Sequence, residues 1–110
     1  MRDDEKDRVA WNAIQYVAKR ILSGEIDLAN GAKEICALRL NVGESANEVF
    51  YAFRALESDL DRFPVGKTRQ TWDSTALAIL DAERGKILER MSPSIKESCM
   101  DILKRFPEIN

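Results

Sequence analysis

Apolar residues recur along most of this chain at intervals of three and four, the period of a helix with one face turned to a core. The first run, from about Asp4 to Leu22, puts Ala10, Ile14, Val17 and Ile21 on one face, with Ala13 widening the stripe and Trp11 on its edge. Asp3, Asp4, Glu5 and Asp7 stand at or before its first turn and Lys19 and Arg20 in its last, where they complement the helix dipole; Ser23 and Gly24 stop it. Asp27 then caps a second helix that turns Leu28, Ala32, Ile35, Leu38 and Val42 inward and ends at Asn41 to Gly43. Gly31 weakens that helix by about 1 kcal/mol relative to Ala, or serves a close helix crossing.

Ser45 and Glu48 have the spacing of a capping box and predict a third helix whose inward stripe is Val49, Phe53, Leu56 and Leu60, with Phe50 on the border. A fourth helix starts at Asp73 or Ser74 and shows Leu77, Leu80, Arg84, Ile87, Leu88 and Met91 on one face. Ser92 as N-cap and Pro93 at the first helical position predict a break there. A fifth helix then carries Ile95, Cys99, Ile102, Leu103 and Phe106 until Pro107 ends it. No segment alternates like a strand. The expected architecture is a single all-α domain over residues 1–110, a bundle of about five helices with short connections.

The connection between helices three and four, residues 57–73, mixes both charge signs with Phe63, Pro64, Val65 and Trp72. Those four read as a clasp pinning the turn to the core. Arg62 and Arg69 have Asp59, Asp61 and Asp73 within the same stretch as pairing partners.

Composition narrows the chemistry. The chain has 110 residues, 45% hydrophobic and 33% charged, enough for one core without staples. It has no His, which removes His-based acid–base catalysis, the His-containing triads and nearly every zinc site. Cys36 and Cys99 lie on helical stripes and read as small buried hydrophobes. The scattered glycines form no phosphate loop or dinucleotide fingerprint, and no cofactor is expected. No apolar run approaches a membrane span, and the N-terminus is too charged for a secretory signal, so a cytoplasmic protein is expected. Nothing here points to an enzyme.

Seventeen bases face 19 acids, a net charge of −2, which disfavours a nucleic-acid partner. From Glu44 to Asp61 the balance is sharper: Glu44, Glu48, Glu57, Asp59 and Asp61 against Arg54 alone, five acids less one base, or −4. Helical spacing aligns Glu44, Glu48, Tyr51, Ala55 and Asp59 on an outward stripe. An exposed tyrosine among fixed carboxylates is a candidate anchor for a basic protein partner, and a solvated helix face is the alternative.

The runs Leu22, Ser23, Gly24, Glu25, Ile26, Asp27, Leu28 and Phe63, Pro64, Val65, Gly66, with Arg69 and Trp72 following, resemble those of a group of small bacterial proteins. Similar small acidic helical proteins serve as immunity partners of secreted or contact-delivered toxins. The resemblance implies binding without catalysis and carries over no catalytic residue. The expected partner is a basic, nuclease-type toxin domain. The expected surface is Glu44, Glu48, Tyr51, Asp59 and Asp61, extended by Arg62 and Arg69. A different class remains open, a self-associating helical module with outward aromatics and Met91 in a homodimer seam.

Overall fold

The computed structural model describes residues 4–105 and contains four α-helices: α1 (Asp4–Ser23), α2 (Leu28–Leu38), α3 (Tyr51–Leu60) and α4 (Ser74–Arg105). Short 3-10 turns extend α2 (Arg39–Asn41), lead into α3 (Glu48–Phe50) and fill the connection to α4 (Gly66–Thr71). Among the described residues 83% are helical and none is in a strand, in five helical segments when each turn is joined to the helix it continues. The expected helical bundle is therefore present. Asp3, and the Phe106 and Pro107 expected to close the last helix, lie outside the described residues.

α1 packs on α2 and α4, α2 on α3, and α3 on α4. The stripes expected inward meet in one core: Ile14, Ala18, Ile35, Phe53, Leu56, Ile95, Cys99 and Ile102 are fully buried. Asp27 caps α2 as expected, its Oδ1 accepting from the Asn30 N–H at 2.8 Å. Gly31 serves a close crossing, since a Cβ there would stand 2.5 and 2.6 Å from Cγ1 and Cδ1 of Ile21 on α1. Trp11 is buried and stacks on Phe50 with centroids 5.6 Å apart. Phe50, expected on the border, is fully buried. The 3-10 turn that holds it advances about 120° per residue instead of about 100°, which swings the ring inward.

Three local expectations are corrected. The capping box does not form: Ser45 sits within a turn, its carbonyl accepting from Arg39 Nη1 at 2.7 Å, and Asn47 caps instead by accepting from the Val49 N–H at 3.0 Å. The break at Ser92 and Pro93 is absent, because α4 runs through both. A proline inside a helix costs about 3 kcal/mol. Yet Leu88, Met91, Ile95, Cys99 and Ile102 keep one phase across it, and Ile95, Cys99 and Ile102 are fully buried. Burial of each such isoleucine contributes about 1.5–3 kcal/mol, so the continuous stripe outweighs the lost hydrogen bond, and Pro93 points to solvent.

The third correction is the clasp. Phe63 is buried, with the Arg62 guanidinium 4.3 Å above its ring, but Val65 is 68% and Trp72 44% exposed. Gly66, at φ +59°, turns the chain back along the start of α4. Arg62 and Arg69 consequently pair with Glu83 and Asp81 of α4 rather than with Asp59, Asp61 or Asp73. Asp73 is occupied as the α4 cap, accepting from the Ala76 N–H at 3.1 Å.

The principal extents are 50 × 28 × 22 Å. The long one matches α4, whose 32 residues span about 48 Å at about 1.5 Å each. Its buried residues are Ile95, Cys99 and Ile102, all in the second half; the first three turns reach past the core, accompanied by the 62–72 segment.

Candidate functional site

Buried Phe53 and Leu56 fix the rotation of α3, leaving Tyr51, Arg54, Ala55, Ser58 and Asp59 outward. Tyr51 is 60% exposed. At about 100° and about 1.5 Å per residue, Asp59 and Asp61 stand about 80° to either side of the Tyr51 meridian and about 12 and 15 Å further along the axis, so the tyrosine and the two carboxylates mark opposite ends of the exposed face of α3. Neither makes an ion pair with a described residue. Glu44 is exposed in the turn before the helix.

The other expected residues have partners within the chain. Glu48 accepts from Arg105 Nη2 at 3.0 Å, and Arg105 Nε also meets Asp101 at 3.2 Å. The two carboxylates raise the Arg105 pKa, Glu48 first by its hydrogen bond. Arg62 reaches Glu83 at 3.4 Å, and Arg69 grips Asp81 with two bonds of 2.9 and 2.8 Å. The Arg69 guanidinium holds the Asp81 carboxyl below its ordinary range, chiefly through those hydrogen bonds. Glu48 and Arg62 thus tie the two ends of α3 to α4, and Arg69 ties the following connection to it, while Glu44, Tyr51, Asp59 and Asp61 remain open to solvent.

On the side toward α2, Asp61 and Glu57 border a shallow cavity of about 310 Å³ with Arg39, Arg54 and Ser58. The buried Cys36 thiol of α2 interacts with one of these lining residues, Glu57. Burial, then donation to the Glu57 carboxylate and the charge of Glu57, push its pKa up to about 12, against a smaller opposing effect of Arg39 and Arg54. Burial alone pushes Cys99 up to about 12. Both thiols stay protonated at neutral pH and are packing groups. Among the described residues no three His, Cys, Asp or Glu are grouped to hold a metal ion, and no helix is long and apolar enough to cross a membrane.

Sequence reasoning missed Ile79, which is 59% exposed on the projecting start of α4. The signal was present, since Ile79 falls outside the phase of Leu77 and Leu80. The exposure of Trp72 had no such signal, because it depends on how the whole connection from Arg62 to Trp72 lies along α4. No family model, curated protein or solved structure matches this chain.

Proposed function

We propose that this chain is a cytoplasmic, non-catalytic inhibitor of the immunity type, which neutralises a basic, nuclease-type toxin domain by covering its substrate groove. The reading is supported by one observation above all: Tyr51 stands 60% exposed at the start of a helix locked by Phe53 and Leu56, and Asp59 and Asp61 at the other end of that helix make no ion pair with a described residue. A nuclease groove is basic because it binds phosphates. Exposed carboxylates steer the encounter with such a groove, and the tyrosine supplies contact area at low entropic cost. Asp59, Asp61, Glu44 and Tyr51 make the contact. Glu48 and Arg62, tied to Arg105 and Glu83, link the ends of this face to α4, and no cofactor is required.

The test asks whether a toxin-like reading frame lies immediately upstream of this gene, and pairs the chain with the C-terminal domain of that frame. The expected result is a stoichiometric complex in which nucleic-acid cleavage stops. Tyr51→Ala and the double reversal Asp59→Arg, Asp61→Arg each weaken it roughly tenfold or more, and the reversal flattens its salt dependence. Reversal of Glu48 is a poorer probe because it also frees Arg105. Full inhibition by the Asp59, Asp61 reversal would refute this surface, and undiminished cleavage with the native chain would refute the function.

A further inference from the structure

The first turns of α4 carry an inward apolar stripe and an outer stripe that is apolar at its start and charged beyond it. Leu77 and Leu80 belong to the inward one and are half-buried. The second runs along the outside through Ala76, Ile79, Glu83, Lys86 and Arg90, at intervals of three and four, with Trp72 just ahead of the helix. Ile79 is 59% and Trp72 44% exposed, and Lys86 and Arg90 are open to solvent. Met91, by contrast, packs against the core and is not available to a seam.

The outer stripe has a polarity once Glu83, which is engaged by Arg62, is set aside. Its N-terminal end holds an aromatic ring and an acid, Trp72 and Asp73; its centre is Ile79; its C-terminal end holds two bases, Lys86 and Arg90. Asp73, Lys86 and Arg90 make no ion pair with a described residue, although Arg62 and Arg69 beside them are both paired to α4. A helix that is acidic and aromatic at one end and basic at the other is complementary to itself only when antiparallel. A two-fold axis at Ile79 sets position i against position 158 − i by that symmetry, so Ile79 meets its own copy and Trp72 meets Lys86. Asp73 then lies opposite Gly85 and beside Lys86 of the second copy, and Trp72 offers its face to that same cation. Small side chains at Ala76, Ala78 and Ala82 leave room for the helices to approach.

We propose that the outer face of the first half of α4 binds a second copy of this chain, antiparallel and isologous, with Ile79 on the two-fold axis. The contact is one helix face, less than the roughly 800 Å² per partner of a standard interface, so the dimer is weak and forms at high micromolar concentration. The inference does not rest on the inhibitor reading and is tested on the chain alone, so either can fail without the other.

Sedimentation equilibrium of the full chain is expected to show a mass rising with concentration from 12.5 kDa toward twice that value. Ile79→Lys, at an exposed position, stays at the single-chain mass with an unchanged circular dichroism spectrum. Ile79→Cys places one thiol on the axis while Cys36 and Cys99 stay buried. Under mild oxidation it links to its copy roughly tenfold or more faster than Glu97→Cys, which is exposed farther along the same helix. A native chain that remains monomeric at high concentration overturns the proposal, as does equal crosslinking of the two cysteine variants.

Discussion

Replacing Gly31 by alanine separates helix propensity from packing, because the two have opposite signs at this position. Propensity alone favours alanine by about 1 kcal/mol inside a helix. The geometry opposes it: the new methyl carbon would lie 2.5 Å from Ile21 Cγ1 and 2.6 Å from Cδ1, against an ordinary carbon contact of about 3.5–4.0 Å. Ile21 is 3% exposed, and Cγ1 is not the free end of its side chain, so relief requires about 1 Å of movement between α1 and α2. Overpacking of this kind costs about 1–3 kcal/mol, which leaves Gly31→Ala less stable by about 1 kcal/mol after the propensity gain. Urea denaturation at constant slope measures the change. In an Ile21→Ala background both opposing atoms are gone, and the same substitution is expected to stabilise by about 1 kcal/mol. A gain in the native background, or a loss of equal size in both, would refute the account of a backbone crossing held open by Gly31.

Pro93→Ala is expected to stabilise the protein by about 2 kcal/mol, the helix-interior penalty of about 3 less the entropy that proline removes from the unfolded chain; an unchanged urea midpoint would mean that the helix does not run through that residue. Both thiols are expected to resist an aromatic disulfide at neutral pH and to react once urea unfolds the chain, and rapid native labelling would place one at the surface. Their folded pKa values of about 12 exceed the ordinary 9.0, so this stability is fully present below the ordinary value and is lost as pH rises toward about 12. The loss is about 1.4 kcal/mol per pH unit for each thiol over that window. Removing Cys99 as Cys99→Ala should reduce the alkaline slope, and a slope unchanged by it would contradict the assignment.

Helix phase was legible because it is a local, repeated property. Ile14, Val17 and Ile21, Ile35, Phe53 and Leu56, and Ile95 and Ile102 each recur at helical spacing, and all are buried. Asp27 and Asp73 were legible as caps because a cap acts within its own first turn. The Pro93 break was misread by weighing the local signal, Ser92 before Pro93, above the stripe that keeps its phase from Leu88 to Ile102. The acidic balance around α3 and the outward position of Tyr51 also followed from spacing. What the spacing could not decide was which charges stay free, since Glu48 meets Arg105 and Arg62 meets Glu83 only after α4 has folded back along α3. Trp72 is exposed and Arg69 faces Asp81 for the same kind of reason, because the course of the 62–72 segment is set by where α4 lies beside it. Periodicity records which side of an element faces inward, whereas pairing between elements depends on distances set by the packed helices, and those exist only in three dimensions.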